Sequence, residues 1–154
     1  MPKVIGVIGA GVATSEQSET AAEVGRLIAR RGWHLVCGGL GGVMEAAARG
    51  AHEAGGVTIG LLPGNYREAA NPFITVPIAT GLGEGRNLLI VRTSDLLIAI
   101  GGRYGTLSEI ALALKTGKPL IGLDSWDIPG MVRASSPEDA VRHARKQLHQ
   151  KNRG

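Results

Sequence analysis

One cysteine, one phenylalanine, two tyrosines and two tryptophans are all that 154 residues hold of those types. Cys37 alone excludes an intramolecular disulfide and any thiolate metal cluster. An aromatic content of 3% leaves too few rings for a base-stacking platform, so nucleic acid is not an expected partner. No apolar stretch is long enough to cross a bilayer. The start, MPKVIGVIGAG, has one lysine and an apolar run already broken by glycine, which is not the pattern of a signal peptide. A soluble cytoplasmic protein without a membrane partner is expected. His34, His52, His143 and His149 lack ligand spacing such as H-E-x-x-H, so no metal site is expected. There is no G-x-S-x-G elbow for serine catalysis and no phosphate loop ending in Gly-Lys-Ser/Thr.

Charge of either sign is also missing from the body of the chain as a net quantity. The formal charge is +4. Residues 133–154 carry six Lys/Arg and two acids, and the rest carries 11 of each sign. The basicity therefore belongs to a C-terminal segment, VRHARKQLHQKNRG, which suits a solvated basic helix.

What the sequence does have is glycine: 24 residues, in pairs and triplets between apolar runs and without a Gly-X-Y period. The apolar runs KVIGVIG (3–9), WHLVC (33–37), VTIGLL (57–62), DLLIAIG (95–101) and PLIGL (119–123) have the length and Val/Ile/Leu content of strands buried on both faces. FITVPI (73–78) adds a shorter strand interrupted by Pro77. Helical spacing fills the intervals: SETAAEVGRLIARR, VMEAAARGAHEA, EGRNLLIVRTS and TLSEIALALKTG. Thr14 and Gln17 have the spacing of a capping box, and Ser136-Pro137-Glu138-Asp139 opens a last helix. Alternating strands and helices predict one doubly wound α/β domain spanning residues 1–154, with a mostly parallel sheet and helices on both faces.

In such sheets ligands bind beyond the carboxyl ends of the strands. Glycine clusters at 9–11, 38–42 and 101–105 each follow a predicted strand, so they converge on one rim. Gly9-Ala10-Gly11 begins a dinucleotide fingerprint, but Thr14 stands at its third glycine. Cys37-Gly38-Gly39 stands where a ribose-binding acid belongs, so NAD binding is rejected. In AIGGRYGTLSEIALAL, Gly101, Gly102 and Gly105 either make a tight turn or admit an anion to the backbone at a helix start. GGLGGVMEAA has the same design, and two such starts on one rim favour the anion. Glu109 completes a capping-box pattern with Thr106, which is worth roughly 1 kcal/mol, or else it faces the rim and meets a sugar. Arg86, beside Asn87, is either a solvated helix residue or a bidentate phosphate grip.

The stretches VCGGLGGVMEAAARGAHEAGG, GRNLLIVRTSDLLIAIGG and YGTLSEIALALKTGKP resemble the Lonely Guy (LOG) family. Within it they lie nearest the short bacterial branch that includes molybdenum cofactor carrier proteins. The resemblance runs from the first strand to about Leu123. It implies a Rossmann-like fold and one of two functions. LOG enzymes are phosphoribohydrolases that split a nucleoside 5′-monophosphate into free base and ribose 5-phosphate. The carriers bind an anionic pterin cofactor as cargo, without known turnover. The "lysine decarboxylase" label of the wider family finds no pyridoxal-phosphate lysine site here. By resemblance Arg86 and Glu109 are the catalytic pair. Gly9, Gly11, Gly38, Gly39, Gly41, Gly42, Met44, Asn87, Gly101, Gly102, Arg103, Tyr104, Gly105 and Thr106 form the ligand- and phosphate-binding set. Gly101 replaces the proline of the family signature and Arg103 one of its glycines. The resemblance also implies a homodimer and no cofactor beyond that cargo.

Overall fold

The computed structural model describes residues 1–151. Seven strands form one sheet: β1 (Val4–Gly9), β2 (His34–Cys37), β3 (Thr58–Leu62), β4 (Val76–Ala79), β5 (Leu96–Ile100), β6 (Leu120–Leu123) and β7 (Val132–Ala134). Their order is β4-β3-β2-β1-β5-β6-β7, and every neighbouring pair is parallel. Five helices connect and cover them: α1 (Ser15–Arg30), α2 (Val43–Glu53), α3 (Arg86–Thr93), α4 (Tyr104–Lys115) and α5 (Pro137–Lys151). The expected doubly wound α/β domain is the observed one.

Strand side chains alternate between the two layers of helices. Leu96, Ile98 and Ile100 of β5 join Ile5 and Val7 of β1 in a core closed by α1, α2 and α5. Leu97 and Ala99 of β5 join Ile8 in a second core closed by α3 and α4. Because β5 is covered on both faces, all five of its residues are buried, and its sequence is continuously apolar.

The contact between α1 and α2 has almost no side chain in it. A Cβ on Gly50 would overlap the Ala22 carbonyl, and one on Gly25 would overlap the Ala47 carbonyl. Ala21, Ala22, Ala46, Ala47 and Ala51 supply the remaining small contacts.

Helix α1 begins at the anticipated capping box: Gln17 N–H donates to Thr14 Oγ1 at 3.1 Å, and Thr14 N–H donates to Gln17 Oε1 at 3.0 Å. Helix α5 begins at Ser136, whose Oγ accepts from Asp139 N–H at 3.0 Å. Other boundaries differ from the sequence reading. The strand expected over 73–78 is Val76–Ala79, on the sheet edge, where Pro77 is tolerated because one side of the strand needs no ladder. The helix expected from residue 84 starts at Arg86, after a 3-10 turn over Gly83–Gly85. β7 was not anticipated; three residues, VRA, are too few for a period to show. The basic segment is not wholly solvated: Ala140, Ala144 and Leu148 of α5 complete the first core. Its end, residues 152–154, lies outside the described residues.

Among the described residues, no helix is long and apolar enough to cross a membrane. No group of three or more His, Cys, Asp or Glu among them could hold a metal ion.

Candidate functional site

Strand order reverses at β1: the chain first builds outward through β2, β3 and β4, then returns to place β5 on the other side. That reversal opens a crevice at the carboxyl ends of β1 and β5. A cavity of about 780 Å³ lies there. β1 and its following loop contribute Gly9 and Gly11, the β2–α2 connection contributes Gly38, and the first turn of α2 contributes Met44. Arg86 and Asn87 enter from the start of α3. Gly102, Arg103, Gly105, Thr106 and Glu109 enter from the β5–α4 turn and from α4.

Glycine is required at several of these positions. A Cβ on Gly9 would overlap the Ile100 carbonyl. Gly102 has φ 99°, and a Cβ there would overlap the Thr106 side chain. A Cβ on Gly38 would sit 2.7 Å from Arg86 Nη2 and 2.6 Å from Met44 Sδ, so the bare backbone makes the space in which the guanidinium rests.

The start of α4 differs from the expected capping box. Arg103 is the N-cap residue and makes no side-chain cap. Thr106 lies within the first helical turn, and Glu109 does not reach back to it. The first intrahelical bond is Leu107 N–H to the Arg103 carbonyl at 2.9 Å. The N–H groups of Tyr104, Gly105 and Thr106 precede that bond and have no intrahelical acceptor, beside a wall of the cavity. The segment after β6 holds the turn from outside. Ser125 Oγ donates to the Gly101 carbonyl at 2.7 Å, and Trp126 Nε1–H donates to the Arg103 carbonyl at 3.2 Å.

Glu109 is only 8% exposed, and its carboxyl has no hydrogen bond or ion pair among the described residues. Burial pushes its pKa up to about 7, and the nearby Arg86 guanidinium pulls in the other direction. Arg86 Nη1 donates to Asn87 Oδ1, while its Nε is buried without a partner. Cys37, at the end of β2, is fully buried; desolvation drives its thiol up to about 11, against the Gly39 N–H and the Arg86 charge.

Five expected site residues fall outside the cavity wall. Gly39 (φ 77°) is a buried turn packed on Leu62, and its carbonyl accepts from Asn71 N–H at 2.9 Å. Gly42 (φ 68°) caps α2 beneath the Ala10 and Gly11 carbonyls, with Gly41 beside it. Val43 N–H, the first of α2, is consumed by the Ala10 carbonyl at 2.9 Å, so this helix start does not face the cavity as the α4 start does. Gly101 (φ 59°) lies under the Gln17 side chain. Tyr104 is exposed, with its ring 6.4 Å from that of Trp126. Thr14, Gln17 and Glu84 line the cavity without having been singled out. Their signal was masked by local roles: a capping box for the first two, a glycine-rich turn for the third.

The family model of the SLOG cluster4 family matches residues 2–152. This chain belongs to the SLOG cluster4 family. Among solved structures, the molybdenum cofactor binding protein of Rippkaea orientalis shares 40% identity and a TM-score of 0.91, over 96% of this chain and 98% of that one. The molybdenum cofactor carrier protein of Chlamydomonas reinhardtii shares 38% identity and a TM-score of 0.87, over 98% and 99%. A cytokinin riboside 5′-monophosphate phosphoribohydrolase of Mycobacterium tuberculosis is 39% identical over 122 residues, 73% of this chain. The match spans 65% of that enzyme. The LOG-like identity close to carrier proteins, read from three stretches of sequence, holds.

Proposed function

We propose that this chain binds a phosphorylated, nucleotide-like ligand in the cavity between β1 and β5. One observation supports this above the others. Unbonded helix amides, a guanidinium with a free Nε and a carboxyl with no protein donor all meet in one crevice. The α4 amides and the glycine corner at 9–11 receive the phosphate, favoured by the helix dipole. Arg86 orients phosphate or sugar, and Arg103 reaches the mouth of the same space.

With a nucleoside 5′-monophosphate bound, the cavity has the groups for N-glycosidic hydrolysis. As the C1′–N bond breaks, the base nitrogen keeps the electron pair and takes the proton of neutral Glu109. The carboxylate left behind faces the positive charge growing on the ribose. Water then bonds to C1′ and returns its proton to Glu109, leaving ribose 5-phosphate and free base. One fixed group opposite a developing charge supplies roughly 3 kcal/mol. The phosphoribohydrolase relative supports this reading.

The second reading is a carrier. Near-complete coverage of two molybdenum cofactor binding and carrier structures supports it. The same amides would hold the phosphate of a pterin cargo, and Glu109 would do no chemistry. Incubation with AMP and related monophosphates at high protein concentration separates the two: free base establishes the hydrolase, and its absence with every monophosphate removes it. Copurification with, or protection of, a molybdopterin-type ligand establishes the carrier. The proposal includes a cytoplasmic homo-oligomer, which sedimentation at micromolar concentration tests.

A further inference from the structure

Four charged side chains line the cavity: Glu84, Arg86, Arg103 and Glu109. Fully ionised, they sum to zero. The two inner groups, Arg86 and Glu109, cancel each other, and so do the two exposed at the mouth, Glu84 and Arg103. β1 contributes only Val7, Ile8 and Gly9, none of them ionisable. Cys37, the remaining titratable group near Glu109, stays neutral as a buried thiol. A cavity with unbonded amides and no net charge is poorly matched to a dianion. A buried carboxylate within it repels one outright, in a setting where water screens weakly.

We infer that the cavity takes up its anionic ligand together with one proton, and that Glu109 is the group that accepts it. This rests on the anion-binding reading above. Protonation leaves the lining at +1, frees the Arg86 charge for the ligand, and turns a repelling oxygen into a donor toward a ligand oxygen. No described residue competes for that role: Glu109 has no protein donor or acceptor to satisfy, whereas Glu84 is exposed to solvent. The resting carboxyl, already shifted toward neutrality by burial, is poised for this step.

The test is calorimetry with AMP between about pH 7 and 8.5, where a phosphate with its second pKa near 6 is already a dianion. Titrations in buffers of different ionisation heat count the protons exchanged. The wild type is expected to absorb about three-quarters of a proton per AMP at pH 7.5 and close to one near pH 8.5, its affinity falling by up to about tenfold per pH unit across that range. Glu109→Gln is expected to bind with no proton exchange and a flat pH profile; Glu109→Asp is expected to restore uptake. Binding without proton uptake in the wild type, or equal uptake in Glu109→Gln, overturns the coupling and leaves the ligand reading standing. No binding of AMP at any pH from about 5.5 to 8.5 overturns the coupling together with the nucleotide form of the ligand reading.

Discussion

Arg86 and Glu109 stand on consecutive helices of one sheet face and line the same cavity, yet no hydrogen bond or ion pair joins them. The guanidinium is committed to Asn87 through one nitrogen, and the carboxyl is committed to nothing. A pair held close and left unjoined is available to a third party.

That arrangement predicts a pH signature in stability without any ligand. Burial raises the folded-state pKa of Glu109 from 4.5 to about 7. An acid shifted upward stabilises the fold fully below its unfolded value and loses that contribution as pH rises through the folded one. Relative to Glu109→Gln, the wild type should lose on the order of 3 kcal/mol between about pH 4.5 and 8. Urea unfolding across that range measures it, and parallel curves for the two proteins would contradict the burial argument.

Gly38→Ala should separate binding from folding. The new methyl meets two flexible ends, Met44 Sδ and Arg86 Nη2, rather than backbone. Stability should change by less than about 1 kcal/mol. Displacing the guanidinium should weaken phosphate-ligand binding by about tenfold, equal to about 1.4 kcal/mol. Calorimetry beside thermal unfolding checks both halves.

Cys37 should be silent toward thiol reagents. Its thiol is fully buried and held near 11, so almost no thiolate exists at pH 8. Ellman's reagent should label it only after denaturant is added; prompt labelling of the native protein would place it on an accessible path to the cavity.

Trp126→Phe removes the donor that holds the Arg103 carbonyl at 3.2 Å and keeps most of the ring. A hydrogen bond of this kind contributes about 1 kcal/mol net. Exchange of the Leu107 amide, which donates to that same carbonyl, should accelerate by several-fold, while exchange in α1 and α5 stays unchanged. Uniform acceleration would make Trp126 a general core residue instead.

The architecture was legible because its signals are long and local. Five apolar runs, four of them with glycine at one end or both, announced the parallel sheet, and Thr14-Gln17 and Ser136 announced two helix starts. What escaped detection was short or tertiary. β7 is three residues long. Thr106 and Glu109 have capping-box spacing, but the helix starts two residues before Thr106, at Tyr104, which turns an apparent cap into a cavity wall. Gly41 and Gly42 have the composition of an anion corner, yet Ala10 takes the first amide of α2, a contact that spacing along the chain cannot reveal. The Ser125–Trp126 brace joins residues more than twenty positions from the turn it supports.

The bare contact of Gly25 and Gly50 with the carbonyls of the facing helix reaches further than its location suggests. Packed backbone to backbone, with only alanine methyls beside the glycines, α1 and α2 form one slab. The segments entering these helices carry Gly11, Thr14 and Gly38, and the first turn of α2 carries Met44, so two lips of the crevice hang from that slab. A single methyl inserted at Gly50, remote from any ligand, acts as a wedge on the jaw. It should loosen the grip and the fold together, which gives selection a handle on affinity that never touches the pocket.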